Sequence, residues 1–473
     1  MKDIKKEKKR QIVRCAFYDQ IAMQKHFEKM ASQGWLIEKL STYFWTFRRI
    51  EPVELHITVT YFPSASEFDP GPSDKQQMME EFAAKDGWKL LVRWGQIQVF
   101  SNKGADPTPI ETDPVAQVNN MYRAMKKNLL PSHLMVLALV LYQLIFNGYR
   151  FFTGTVDFLS SPYLLASLPI WLLMLFAELN EILSCFLWHN KAKKAAENGI
   201  FIPVKTNRTI SITLLLICLI LIFATLQLPT SLQAFSLVWA IVIIGIIAIG
   251  RFTKNWLKSA GASKGTNYTV SILLVVLLTF VFLGGITFYI IRIGLDDNRT
   301  PIDSYERNGW IFEIYDEPMP LYVEDLMDIG DSIWSRERNQ HNETFLLAKS
   351  EYRQNHVSGG PVGLKDLAYT VVDIKLPSLY DTVKQAMLNE RQDEKYEDGI
   401  FINHYEPIDA GIWEASAAYQ LHWSDSILDT YLICWENRMV EIKFYWEPTP
   451  EQIKIAVDKF KNSKLSKKNG PQL

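Results

Sequence analysis

The stretch "KMASQGWLIEKLSTYFWTF", Lys29–Phe47, is echoed by "EFAAKDGWKLLVRWGQIQVF", Glu81–Phe100. Around the first, Met23, Phe27, Met30 and Ala31 fall on one face of a helix, and Gly34 is placed to end it in a left-handed cap. Two short strands follow, Trp35 to Leu40 and Tyr43 to Arg48. Leu55, Ile57, Val59 and Tyr61 then alternate with Glu54, His56, Thr58 and Thr60, the period of a half-buried strand. Around the second stretch the order recurs: a helix through Met78, Met79, Phe82 and Ala83, then Gly87-Trp88, then strands through Val92 and from Gln96 to Phe100. Trp35 precedes Phe47 by the interval that separates Trp88 from Phe100. Equal spacing predicts an N-terminal α+β domain of two βαββ-like units, packed as one sheet with helices on one face. Each Gly-Trp pair reads as a helix cap plus a core aromatic, since large apolar rings are usually buried; a Trp-lined ligand cleft is the alternative.

Outward from this repeat, the chain becomes strongly apolar. A bilayer crossing takes about 20 mostly apolar helical residues, because no lipid-exposed backbone amide can go unpaired. Five runs qualify: Ser132 to Phe151, Pro162 to Leu187, Ile210 to Leu228, Leu232 to Gly250, and Val270 to Ile293. His133, Gln143 and Asn147 interrupt the first. Cytoplasmic loops are enriched in Lys and Arg, and here Arg123, Lys126 and Lys127 precede the first run. Lys191, Lys193, Lys194, Lys205 and Arg208 separate the second from the third, and Arg251, Lys254, Lys258 and Lys264 the fourth from the fifth. The alternate loops, "TGTVDFLSS" and "QLPTS", carry neither residue. The expectation is a multi-pass protein of the cell membrane: residues 1–128 cytoplasmic, 129–293 a membrane domain of five helices, 294–463 extracytoplasmic, and 464–473 a basic tail. The basic start, "MKDIKKEKKR", does not lead into a signal-peptide core.

"FEKMASQGW", "YFWTFRR", "EEFAAKDGWKLLVRWGQIQVFSNK" and the juxtamembrane "DPVAQVNNMYRAMKKN" together resemble the bacterial membrane-protein family catalogued as domain of unknown function 2812. The resemblance covers roughly the first quarter of the chain. It departs at Gln98 and Val99, where an aromatic is usual, and in the long C-terminal portion. It implies a bacterial membrane location and brings no established activity.

After the last apolar run the pattern is that of a second α+β domain. Val371, Val372 and Ile374 suggest a strand, Asp381 to Arg391 a helix, and Ile427 to Trp435 with Met439 to Trp446 a hairpin across Glu436-Asn437. Thr449, Pro450 and Gln452 form a capping box ahead of a closing helix whose buried stripe is Ile453, Ala456, Val457 and Phe460. Trp413, Trp423, Trp435, Phe444 and Trp446 read as packing rather than a binding surface.

The full chain of 473 residues has a formal net charge of -2, which argues against nucleic acid as a partner. Cys15, Cys185, Cys218 and Cys434 show neither a disulfide framework nor a zinc spacing. HExxH, GxSxG, Walker and strand-borne GxGxxG motifs are absent, so no catalytic, cofactor or metal residues are assigned and the chain is read as not an enzyme. "GASKGT", Gly261–Thr266, fails the phosphate-loop spacing. "SGGPVG", Ser358–Gly363, reads as a surface loop, and the cluster Asp316, Glu317, Glu324, Asp325, Asp328 and Asp331 as a solvated acidic face. The polar residues Glu178, Asn180 and Glu181 in the second run are the candidate intramembrane site. Either the helix ends near Glu178 and leaves them at the cytoplasmic interface, or it continues and buries them, at a cost of about 3 kcal/mol per carboxylate on insertion scales. The functional expectation is a sensor, regulator or envelope-stress accessory coupling an extracytoplasmic domain to a cytoplasmic one. Its partners would be the lipid bilayer, an extracellular ligand of unknown kind and a protein at the cytoplasmic domain. The alternatives are a transporter using the intramembrane carboxylates, or a membrane scaffold.

Overall fold

The Gly-Trp repeat builds two copies of one topology. The computed structural model describes residues 7–463 apart from 14, 43, 206–208, 227–229, 296–300, 308–309, 360–363, 391–402 and 424–425, and apart from the side chains of 210–211, 223–240, 286–295, 307 and 310. The basic tail, most of the "SGGPVG" loop, most of the "QLPTS" loop and Arg391 therefore lie outside the described residues. The chain divides into two compact units, Met1–Tyr142 with Ile170–Phe288, and Gln143–Pro169 with Tyr289–Leu473.

In the first unit, β1 (Lys8–Ile12), α1 (Gln20–Ser32), β2 (Trp35–Lys39) and β3 (Phe44–Arg49) make one βαββ copy. The second copy is β4 (His56–Tyr61), α2 (Asp74–Lys85), β5 (Lys89–Trp94) and β6 (Ile97–Asn102). The strand orders are β1-β3-β2 and β4-β6-β5, antiparallel throughout. The resemblance extends to an irregularity: the ladder slips between Ile37 and Lys39 in β2 and at the matching place, between Leu90 and Val92, in β5. Two details differ from the sequence reading. The copies form two three-stranded sheets rather than one. The strand at residues 56–61 opens the second copy, and the first has its own opening strand in "KKRQI", whose charged residues concealed it and suit a sheet edge.

Both glycines act as expected. Gly34 and Gly87 have φ of +82° and +80°, a conformation that a side chain disfavours, and their amides donate to Ala31 and Ala84 carbonyls. Phe47 and Phe100 are fully buried. Trp88 is buried and its indole donates to the Thr108 carbonyl at 2.8 Å. Trp35 is half-buried, with Lys9 Nζ and the Arg49 guanidinium 5.4 and 5.0 Å from its ring. The helices diverge: α1 buries Met23, Phe27, Met30 and Ala31, whereas α2 buries Ala83 and Gln76 and leaves Met78 and Phe82 exposed.

Among the described residues, six helices follow: α3 (Pro114–Thr153), α4 (Thr155–Ser160), α5 (Pro162–Ala196), α6 (Thr209–Leu226), α7 (Thr230–Ser259) and α8 (Lys264–Leu295). Among the described residues three of them, α3, α5 and α8 through Gly285, are long and apolar enough to cross a membrane, and Ile212–Ile222 of α6 is a shorter apolar helix. The third and fourth apolar runs fall on α6 and α7, whose side chains at 223–240 are outside the described residues. α5 does not stop near Glu178, as one reading of the sequence had it, but runs on to Ala196.

The second unit contains the hairpin β7 (Asp303–Arg307) and β8 (Trp310–Ile314), then α9 (Val323–Leu326). Its main sheet is built from β9 (Ile333–Glu343), β10 (Leu347–Ser358), β11 (Leu367–Ile374), β12 (Asn403–Ile408), β13 (Ala417–Trp423), β14 (Ser426–Cys434) and β15 (Arg438–Lys443), with α10 (Tyr380–Asn389) between β11 and β12. All seven strands are antiparallel, in the order β12-β13-β14-β15-β11-β10-β9. Strand alternation sends Val371, Ile433 and Val440 to one face and Val372, Leu432 and Met439 to the other. The first face packs against α11 (Pro450–Asn462) through Ile453, Ala456, Val457 and Phe460. The capping box read at Thr449 and Gln452 closes α11 at its start. The second face packs against Val383 and Met387 of α10 and Val156, Phe158 and Leu159 of α4. Trp413, Trp435 and Phe444 are buried as expected, but Trp423, the last residue of β13, is 41% exposed.

Candidate functional site

The residues that join helices to folded cores are built differently in the two units. In the first, Met121, Ala124, Met125 and Leu130 of α3 and Cys185 of α5 are part of the core that also holds Phe27, Phe47, Val59 and Val99. Tyr18 donates to the Ala124 carbonyl at 3.2 Å, and Lys127 Nζ donates to the Pro63 and Ser64 carbonyls at 3.2 and 3.3 Å. The loop between β4 and α2 then holds the α7–α8 turn: Glu67 pairs with Lys254 at 2.5 Å, Asp69 with Lys264 at 3.5 Å, and Asn267 donates to the Phe68 carbonyl. Every helix end involved belongs to a Lys/Arg-rich segment.

Just past Leu130, the polar interruptions of the first two apolar runs meet. His133 Nδ1 lies 2.6 Å from Glu178 Oε2, both side chains mostly covered. Asn180 and Glu181 make no hydrogen bond to this pair, although Glu181 lies within electrostatic reach of both His133 and Glu178. The Asn180 amide nitrogen is buried with no hydrogen-bond partner, and one helical turn after Glu178 Ile182 packs against the N-terminal core. Sequence reading singled out Glu178 and missed His133 as its mate, since 45 residues separate them and only antiparallel packing of α3 on α5 brings them level. Asn147, another interruption of the first run, is likewise matched within the second unit: it accepts from Ser167 at 2.7 Å.

In the second unit the Lys/Arg-poor loop between α3 and α5 is docked on the sheet. Phe151, Val156, Phe158, Leu159, Leu164 and Leu165 pack with Leu347, Val372 and Ile374. Thr344 Oγ1 donates to the Leu159 carbonyl at 2.7 Å. Lys349, whose side chain is 7% exposed, holds Asp157 at 2.7 Å and Glu351 at 2.9 Å. Burial works against the Lys349 ammonium, but hydrogen bonds and charge from the two carboxylates outweigh it and raise its pKa. Beside this lysine is a cavity of about 380 Å³ lined also by Thr370, Val372, Met387, Glu390 and Glu441. Its polar walls suit a small polar or charged molecule better than an apolar one.

Three residues of the acidic cluster are engaged in ion pairs, and Glu317 and Asp328 accept from backbone amides of Arg338 and Gly330. Arg336 binds Asp316 at 2.8 Å and Glu324 at 2.6 Å, while Lys459 binds Asp325 at 2.7 Å. Among the described residues, His404, Glu406 and His422 are a group of metal-ligating type whose donor atoms all lie within 4.8 Å of one another.

Residues 22–133 match the family model described as "Protein of unknown function (DUF2812)". The matched span runs from α1 through both βαββ copies into the start of α3, ending at His133. No curated protein and no solved structure matches the chain. The second unit's sheet and its α4 contact lie outside the matched span, apart from the chain's own linkage to it.

Proposed function

We propose that this protein is a bacterial integral membrane protein that acts without catalysis, as a sensor, regulator or envelope-stress accessory, relaying the state of an extracytoplasmic C-terminal domain to the cytoplasmic DUF2812-like repeat. The observation that carries the reading is that one helical hairpin is rooted in both folded cores. α3 and α5 enter the N-terminal core at Leu130 and Cys185 and enter the C-terminal core at Phe151 and Leu165. Between those anchors α3 has residues 131–150, about the 20 that a bilayer crossing takes. The Lys/Arg-rich helix ends all belong to the N-terminal unit and the Lys/Arg-free loop to the C-terminal unit, which supports opposite sides for the two domains. A ligand that favours one packing of α4 on the sheet would thereby bias the hairpin, and coupling of this kind requires only a difference in affinity between two states.

The transporter alternative draws on Glu178 and Glu181; the His133 partner gives Glu178 a structural occupation beside the N-terminal core. The scaffold alternative is favoured by one observation, the solvent exposure of Met78 and Phe82 on α2.

The test is labelling of intact cells with a membrane-impermeant thiol reagent in a chain whose four native cysteines are replaced. Ser358→Cys should react without lysis and Ser32→Cys only after it. Reaction of both, or of neither, before lysis would end the cross-membrane reading.

A further inference from the structure

β12 and β13 pair with His404 directly opposite His422. Glu406, two residues along β12, shares their face, since strand side chains alternate. His404 Nε2 lies 3.1 Å from Glu406 Oε1, His422 Nε2 lies 3.7 Å from Glu406 Oε2, and the two rings are 5.5 Å apart at a tilt of 36°. A zinc ion with bonds of about 2.0–2.1 Å in a tetrahedron sets its ligand atoms about 3.3 Å apart. The two carboxylate–imidazole separations, each to its own oxygen, lie on either side of that value, and one donor atom from each of the three residues lies within 4.8 Å of the others, a gap that small side-chain rotations close.

We propose that His404, Glu406 and His422 form an open site for a divalent first-row transition ion, of which zinc matches best. Two imidazoles and one carboxylate suit zinc, copper or nickel, whereas calcium and magnesium take oxygen ligands. Three protein ligands leave a fourth position for water, the arrangement of an accessible rather than a closed structural site. The side chains are 38%, 54% and 16% exposed in the order His404, Glu406, His422, so an ion reaches them from solvent. A second feature points the same way. The β13 ladder slips between Gln420 and His422, and bulges of this kind re-aim a side chain beside a site. The rival occupation of these groups is a plain His–Glu surface pair. Sequence spacing could not reveal the set, because His404 and His422 become neighbours only through the strand pairing.

Binding does not depend on which side of the membrane the domain occupies. Use of the ion as a signal does rest on the coupling reading above. The experiment uses the purified full-length protein in detergent, stripped with chelator and titrated with Zn²⁺ in competition with a chromophoric chelator. One Zn²⁺ per chain should bind, with His404→Ala and His422→Ala each weakening it roughly 100-fold or more, since even outer partners of a ligand contribute 10–100-fold. His341→Ala, in the same domain but outside the triad, should bind as the parent does and shows that a histidine loss alone is harmless. Co²⁺ substitution should give the d–d spectrum of a four-coordinate site, lost in His404→Gln. Absence of binding, or binding unchanged in the His404→Ala and His422→Ala variants, overturns the site. If zinc binds as described but the labelling experiment puts both domains on one side, the site stands and the cross-membrane signal falls.

Discussion

Replacing Asp157 by Asn should loosen α4 from the C-terminal sheet, and the size of the effect follows from the Lys349 arrangement. At 2.7 Å, two unit charges attract by about 6 kcal/mol at an effective dielectric of 20. Most of that is offset by removing the Lys349 ammonium from water, and Asp157 is itself 43% exposed. The net coupling of contacting charges in such networks is about 1–2 kcal/mol, a factor of about 5–30 in a local opening equilibrium. Hydrogen–deuterium exchange of the segment containing residues 155–160 reads that equilibrium directly. Asp157→Asn and Lys349→Met should each speed its exchange by that factor, and the double variant should exchange no faster than the quicker single. If the two effects simply add, or if exchange does not change, Lys349 does not hold the helical hairpin on the sheet and the proposed relay loses its contact point.

The two helix caps should differ in their tolerance of a side chain. At Gly34 a Cβ would stand 2.9 Å from the Ile50 carbonyl, backbone that cannot swing aside, whereas at Gly87 the nearest atom is the Asn102 side-chain amide at 3.3 Å. Gly34→Ala should cost about 1–3 kcal/mol and Gly87→Ala about 1 kcal/mol; thermal unfolding of the detergent-solubilised protein with the order reversed would contradict the packing. Cys434 should resist maleimide at neutral pH, because burial pushes its thiol up to about 12, with the charge of Lys384 a smaller opposing influence. Ionisation favours reaction only as pH rises toward that value, so rapid labelling of the native protein at pH 7–8 would show the thiol to be accessible and ordinary.

The local signals were legible because their causes are local. A helix face, a glycine at positive φ and a capping box each involve a few consecutive residues, and α1, Gly34, Gly87 and the start of α11 all lie where the spacing put them. The Trp35–Phe47 and Trp88–Phe100 intervals likewise announced two copies of one unit, since hairpin geometry fixes how far a strand residue sits from its partner. β1 escaped notice because an exposed, charged edge strand has no buried face to impose a period. The grouping of strands also escaped: alternation tells which face is apolar, not which strand pairs with which, so two sheets were read as one.

The candidate sites depend on distance in space rather than in sequence. His133 with Glu178, Asp157 with Lys349, and His404 with His422 are separated by 45, 192 and 18 residues. The amino-acid sequence determined the repeat and the long apolar helices, because a buried face and a long apolar helix each demand particular residue types wherever the fold places them. Tertiary structure alone decided which carboxylate meets which cation or imidazole. Helix packing and strand pairing choose those neighbours, and no periodicity in a single segment encodes them.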